Sequence, residues 1–138
     1  MDKFIIPARI LLVDDDEDDI SLFSDALSQL STPLTCTVAR NGRDGIIKAL
    51  MPPPYVLIFM DLNMPIMNGY ECMKQIKENA HLNHIPIIVL STSANVYELE
   101  KSKLLGASAY FTKPNDFNSW VNILNDVLIL GKYVKKDL

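Results

Sequence analysis

Blocks of hydrophobic residues alternate with polar residues along the chain in a pattern that predicts strands and helices in turn. Continuous apolar runs, typical of strands buried on both faces, end abruptly at polar residues. These runs occupy residues 10–13, 56–60, 87–90 and 109–111. Residues 34–39 alternate apolar and polar side chains, which predicts a half-exposed strand near a sheet edge. Apolar residues at helical spacing predict helices over residues 16–30, 44–50, 68–78, 96–105 and 117–134. Five strands alternating with five helices favour an α/β fold with an open parallel sheet and right-handed crossovers.

The length and composition fit a single domain over residues 1–138, without a linker or a separate output domain. The net charge of −4 argues against a nucleic-acid footprint. A local basic patch could be formed only by Lys132, Lys135 and Lys136. We interpret these three lysines as part of a solvated tail. No apolar stretch approaches the roughly 20 residues that cross a bilayer, and the N-terminus lacks the length of a signal sequence. We therefore expect a cytoplasmic protein that binds neither nucleic acid nor membranes.

Polar side chains follow the predicted strands at the points where the strands end. Asp14 and Asp15 follow the first strand, Asp61 the third and Ser91 the fourth. Lys113 comes shortly after the fifth strand. Because open α/β sheets bind their ligands beyond the carboxyl ends of the strands, we expect these residues to surround one crevice.

Three neighbouring carboxylates repel one another unless they take up protons or hold a cation. Oxygen ligands without His or Cys favour Mg²⁺. One carboxylate can then attack phosphorus as a nucleophile, while Lys113 supplies positive charge and Ser91 a hydrogen-bond donor. This set predicts phosphoryl transfer, which depends mainly on positioning and charge stabilisation. The acidic residues Asp16, Asp18 and Asp19 are predicted only to cap and solubilise the first helix.

Four stretches of sequence resemble the response-regulator receiver family, and the likeness covers essentially the whole chain. They are residues 10–15, 60–65 together with Gly69, 86–91 and 106–114. The resemblance implies a flavodoxin-like, doubly wound (βα)5 fold with a five-stranded parallel sheet in the order 2-1-3-4-5. It also implies two-component signalling, in which a sensor histidine kinase or a phosphotransfer protein donates a phosphoryl group.

The resemblance further implies a role for each acidic residue of the crevice. Asp61 would accept the phosphoryl group and also bind the metal. Asp15 would bind Mg²⁺ directly, and Asp14 mostly through water. Asn63 would contribute its main-chain carbonyl to the metal.

The remaining residues of the resemblance concern the phosphoryl group and the response to it. Lys113 would pair with the phosphoryl group and precede a cis bond to Pro114. Ser91 occupies the family's Ser/Thr switch position and Tyr110 its aromatic switch position. In the family, phosphorylation draws the hydroxyl group inward, the aromatic ring follows, and the face of helix 4, strand 5 and helix 5 is remodelled. Thr92 departs from the smaller residue usual at its position, which leaves the phosphoryl lifetime open.

The last predicted helix has an apolar surface wider than a minimal core face. Its core stripe consists of Phe117, Trp120, Val121, Leu124, Val127 and Leu128. Ile123, Leu130 and Val134 extend that stripe sideways. Two interpretations stay open: a helix sunk deeply into its own domain, or a homodimer or partner contact through this region.

The function indicated is a phosphorylation-controlled switch that signals through protein–protein contacts and is not a turnover enzyme. A phosphatase of the haloacid-dehalogenase type would need a second Asp where this chain has Asn63. A flavin-binding, flavodoxin-like protein would need a phosphate-binding loop where residues 14–19 are strongly acidic. A degenerate receiver that binds partners without phosphorylation is a third alternative, against which the complete acidic set and Lys113 count.

Overall fold

Helices cover both faces of a five-stranded parallel sheet in the computed structural model, which describes residues 8–93, 95–129 and 131. Strands β1 to β5 extend over Ala8–Val13, Leu34–Ala39, Leu57–Asp61, Ile87–Ser91 and Ala109–Thr112. Helices α1 to α5 extend over Glu17–Leu27, Gly42–Ala49, Gly69–Glu78, Val96–Leu104 and Phe117–Leu124. The strand order β2-β1-β3-β4-β5 confirms the flavodoxin-like topology, and β2 lies at an edge as predicted.

Alternate side chains of the central strands build two hydrophobic cores, one on each face of the sheet. Leu11 belongs to the core that α2 and α3 cover, whereas Ile10 belongs to the core that α1 and α5 cover. In the second core, the ring of Phe23 meets the ring of Trp120 edge-on at a centroid distance of 6.1 Å. Because both faces are covered, the ends of the strands are where polar side chains can meet.

Helix α2 and strand β3 are among the elements that begin at residues other than those predicted. Helix α2 begins at Gly42, two residues before the predicted start, because the side chain of Asn41 accepts a hydrogen bond from the Asp44 N–H at 2.8 Å and caps the helix. Strand β3 begins at Leu57, and Val56 before it is 53% exposed. Both differences arise at element ends, where local capping and exposure decide the boundary.

Two helices end earlier than predicted. Helix α1 ends at Leu27, followed by turns. Helix α5 keeps α-helical hydrogen bonding to Leu124 and continues as a π-helical turn over Asn125–Ile129. Outside the described residues lie Leu130, Val134, Lys132, Lys135 and Lys136. Within the described part of the chain, no helix has both the length and the apolar character needed to span a bilayer.

Candidate functional site

The strand order brings the carboxyl ends of four strands side by side, and each presents one of the predicted polar residues. Asp14 directly follows β1, Asp61 ends β3, Ser91 ends β4 and Lys113 directly follows β5. A strand buried on both faces offers polar groups to a crevice only at its end, and this is why the apolar runs position the site.

Three carboxylates gather at this edge of the sheet. Asp14, Asp15 and Asp61 each offer an oxygen, and these oxygens lie within 4.8 Å of one another. Asp14 and Asp61 are buried, whereas Asp15 is exposed and forms the solvent side of the cluster. Hard oxygen ligands in this number suit Mg²⁺ or a similar divalent ion.

Lys113 is the buried cation of the site and is shared among three carboxylates. Its Nζ lies 2.8 Å from Asp19 Oδ2, 2.9 Å from Asp14 Oδ2 and 3.3 Å from Asp61 Oδ1. The Lys113 backbone N–H also donates to the carbonyl of Ser91 at 2.6 Å, which fixes the residue beside β4. Burial lowers the pKa of Lys113, but its hydrogen bonds to Asp19 and Asp14 outweigh burial and raise that pKa above its ordinary value.

One lysine cannot neutralise this many carboxylates, and the pKa values show the imbalance. Burial, followed by the negative charge of Asp14, raises the pKa of Asp61 to about 7. Burial also raises the pKa of Asp14, although hydrogen bonds from Asp16 and Lys113 oppose the shift. Without further positive charge, Asp61 is therefore partly protonated near neutral pH, and a divalent cation would remove this penalty.

The two oxygens of Asp14 already have partners. Asp14 Oδ1 accepts a hydrogen bond from the Asp16 N–H at 3.0 Å, and Oδ2 pairs with Lys113. Asp15 is the exposed member of the cluster. This arrangement favours Asp15 over Asp14 as a direct ligand of a metal ion.

The loop after β3 folds tightly back against the strand. Gly69 N–H donates to the carbonyl of Leu62 at 2.9 Å, and a Cβ at Gly69 would lie only 2.2 Å from the carbonyl oxygen of Asp61. Only glycine permits this approach, so Gly69 sets the path of the loop. Asn63 lies exposed on that loop, two residues after Asp61.

Ser91 and Tyr110, the two residues predicted to form the switch, meet on the other side of the crevice, against α4. Ser91 is buried, and its hydroxyl donates to Glu98 Oε1 at 3.0 Å and accepts from the Ser93 N–H at 3.2 Å. The Tyr110 hydroxyl donates to the carbonyl of Ser93 at 2.8 Å and lies 3.2 Å from Glu98 Oε1. Burial is the main cause that raises the pKa of Tyr110, so the hydroxyl stays protonated and able to donate.

Asp19 and Glu98 also belong to the site, although the acidic pattern around Asp19 predicts only capping and solubility and no motif of the sequence marks Glu98. The assignment of Asp19 was wrong, because its carboxylate contacts Lys113, whereas Asp16 caps α1 as predicted. A helical pattern could have found both residues. Asp19 precedes the buried Phe23 by four positions, and Glu98 precedes the buried Ser102 by four, so each lies on the inward stripe of its helix.

The expected cis bond between Lys113 and Pro114 is also wrong. The cis peptide bond among the described residues joins Pro52 and Pro53, and the Lys113–Pro114 bond is trans. The physical reason is that proline makes the cis form accessible but leaves trans preferred by about 0.5–1 kcal/mol.

Comparison with known proteins gives a family and close relatives. The profile of the family described as "Response regulator receiver domain" matches residues 10–125. Protein PilH of Pseudomonas aeruginosa is 32% identical over 121 residues, which cover 88% of this chain and 98% of PilH. A protein named "Probable cyclic di-GMP phosphodiesterase" from Vibrio cholerae is 38% identical over 105 residues, but these are 76% of this chain and only 23% of that longer protein.

A solved structure has the same fold. The Mn²⁺-bound form of response regulator Rcp1 superposes with a TM-score of 0.78 at 29% identity, covering 86% of this chain and 93% of that one. The family match covers helices α1 to α5, strands β2 to β5, and all of β1 except its first two residues. The chain therefore belongs to the response regulator receiver domain family, the receiving component of two-component signalling.

Proposed function

We propose that this chain is a response regulator that accepts a phosphoryl group on Asp61 in a Mg²⁺-dependent reaction. The observation that carries the proposal is the acidic cluster of Asp14, Asp15 and Asp61, in which the two buried members, Asp14 and Asp61, pair with Lys113. A sensor histidine kinase or a phosphotransfer protein would be the donor in the cell. The chain would signal through protein–protein contacts in the cytoplasm.

The chemical step is a displacement at phosphorus. An oxygen of the Asp61 carboxylate forms a bond to phosphorus, and the bond from phosphorus to the donor's nitrogen or oxygen breaks. The donor leaves with the electron pair, and Asp61 becomes an acyl phosphate. Lys113, already 3.3 Å from Asp61 Oδ1, stabilises the negative charge of the transferred group.

The residues present fit a divalent cation, because three hard oxygen ligands with one shared lysine leave excess negative charge at the crevice. Asp15 and Asp61 would hold Mg²⁺ through their carboxylates, Asp14 through water and Asn63 through its main-chain carbonyl. When bound, the ion neutralises the incoming phosphoryl group and orients it. The Mn²⁺ in the Rcp1 structure supports this assignment.

Ser91 and Tyr110 would convert phosphorylation into a change of surface. The Ser91 hydroxyl would turn to a phosphoryl oxygen, and Tyr110 would adjust beside it, which alters the face around α4.

A homodimer through the last helix stays a prediction: Ile123 and Leu128 pack partly on their own core, while Ile129 is 42% exposed. Equal sedimentation of Ile123→Glu and the parent, at concentrations where the parent is dimeric, would contradict this dimer.

The experiment that tests the function combines the full chain with Mg²⁺ and acetyl phosphate. Intact-mass analysis is expected to show one added phosphoryl group on the parent and none on Asp61→Asn. Asp18→Asn is the matched control, since it removes an exposed carboxylate of α1 next to the site and should be modified like the parent. Modification of Asp61→Asn, or an unmodified parent across several donors, would refute the assignment.

A further inference from the structure

A carboxylate on α4 is bonded to both switch residues. Glu98 Oε1 accepts from the Ser91 hydroxyl at 3.0 Å, and the Tyr110 hydroxyl reaches the same oxygen at 3.2 Å. Glu98 is half-buried and lies in the first turn of α4. The ion pairs among the described residues involve other carboxylates. Glu98 thus contacts both hydroxyls that the proposed function requires to move: that of Ser91, which must turn to a phosphoryl oxygen, and that of Tyr110 beside it.

A serine hydroxyl has a single proton and can donate to one acceptor at a time. While the Ser91 hydroxyl donates to Glu98, it cannot donate to a phosphoryl oxygen. The bond is charge-assisted, so it is stronger than a bond to a neutral acceptor. The Ser93 N–H, which donates to Ser91 Oγ at 3.2 Å, steadies the hydroxyl in this same orientation.

We propose that Glu98 is a positioning residue that holds the Ser91 hydroxyl in a resting orientation and thereby slows phosphorylation of Asp61; this inference rests on the function proposed above. The phosphoryl group must draw the Ser91 proton away from Glu98 before Ser91 can stabilise it. When that happens, Glu98 Oε1 loses the Ser91 donor. The Tyr110 hydroxyl, which donates to the carbonyl of Ser93 and lies 3.2 Å from Glu98 Oε1, can then turn its proton to Glu98. The same carboxylate therefore couples the serine to the tyrosine.

The test measures the rate constant for phosphorylation of the full chain by acetyl phosphate in saturating Mg²⁺, followed by intact mass. Glu98→Ala is expected to raise this rate constant about tenfold, which corresponds to about 1.4 kcal/mol and to the ordinary strength of a hydrogen bond to a charged group. Glu98→Gln retains an acceptor oxygen without the charge, so its gain should be smaller. Glu98→Ala should be phosphorylated fastest, Glu98→Gln more slowly, and the parent most slowly. If Glu98→Ala fails to fold, equal rates for Glu98→Gln and the parent would still refute the inference.

Two controls separate the bond from the charge. Glu100→Ala removes an exposed carboxylate from the same helix and should react at the parent rate. In a Ser91→Ala background, Glu98→Ala should give no gain, because no hydroxyl remains to be released. A gain that persists without Ser91, or that Glu100→Ala reproduces, would show a general charge effect and overturn the inference. If the parent is phosphorylated and Glu98→Ala reacts at the same rate, only the inference about Glu98 is overturned. If the parent takes up no phosphoryl group, the proposed function is overturned as well.

Discussion

The two ends of the same parallel sheet have opposite chemistry. At the carboxyl end, Asp14, Asp61 and Lys113 are nearly excluded from solvent although all three are ionisable. At the amino end lies an open, mainly apolar pocket of about 310 Å³, whose lining includes the buried side chains of Leu82 and Ile85. Its lining residues are Ala49, Leu50, Met51, Pro52, Pro54, His81, Leu82 and Ile85. Buried charge destabilises a fold unless it is balanced, whereas buried apolar surface stabilises it.

Because the charged groups and the apolar packing lie at opposite ends of the sheet, stability and the proposed chemistry are separable in this molecule. Apolar packing at the amino end and in the cores can hold the crowded carboxylates together at the carboxyl end. Sites that must react commonly reduce the stability of the protein around them. Substitutions at the two ends should therefore affect stability and phosphorylation in different combinations.

The largest loss of stability is expected at the amino end. Ile85 is 2% exposed, so Ile85→Ala leaves a cavity and should lower the free energy of unfolding by about 3 kcal/mol. Chemical denaturation measures this loss. The matched control is Ile47→Ala, where the side chain is 54% exposed, with an expected change within about 0.5 kcal/mol. The phosphorylation rate of folded Ile85→Ala should equal that of the parent, and a parallel fall would show that the two ends are coupled.

At the carboxyl end, loss of a charge should stabilise the metal-free protein. The folded pKa of Asp61 is about 7 against an ordinary 3.8, so the folded state holds a proton that the unfolded state loses. By this linkage the parent loses stability as pH rises from about 4 to about 7, and the penalty is complete above that range. Asp61→Asn avoids it and should be more stable than the parent by roughly 2–4 kcal/mol at about pH 8.

The measurement is chemical denaturation of both proteins across pH in the presence of a metal chelator. The two stabilities should converge as pH falls towards 4, because both proteins are then neutral at this position. Asp14, whose pKa is also raised, contributes a trend of the same sign to the parent. A parent more stable than Asp61→Asn at pH 8 would mean that Lys113 outweighs the repulsion among the carboxylates.

A smaller effect should follow from the metal. At about pH 8, Mg²⁺ at roughly ten times its dissociation constant is expected to raise the parent's free energy of unfolding by about 1.4 kcal/mol. Asp15→Asn should lose most of this gain at the same Mg²⁺ concentration, and Asp18→Asn should keep it. Thermal or chemical denaturation with and without the ion measures the difference. Equal gains in Asp15→Asn and the parent would remove Asp15 from the ligands of the metal.

Much of the site could be predicted because its residues follow strand ends. Asp14, Asp61, Ser91 and Lys113 are each tied to the end of an apolar run, and the family resemblance implied the strand order that places these ends side by side. Helix side chains were harder to place. Whether Asp19 points to solvent or to Lys113 depends on how α1 is rotated against the sheet, and the local acidic pattern is compatible with both.

The strands, most helix positions and the residues at the strand ends follow from the sequence alone, because continuous apolar runs and period-3.6 patterns are local signals. The sharing of Lys113 among Asp14, Asp19 and Asp61, and the contacts of Glu98 with the hydroxyls of Ser91 and Tyr110, emerge only in the folded structure. These pairings join residues from different elements. They depend on packing distances and on the unequal number of buried charges, which no single stretch of sequence contains.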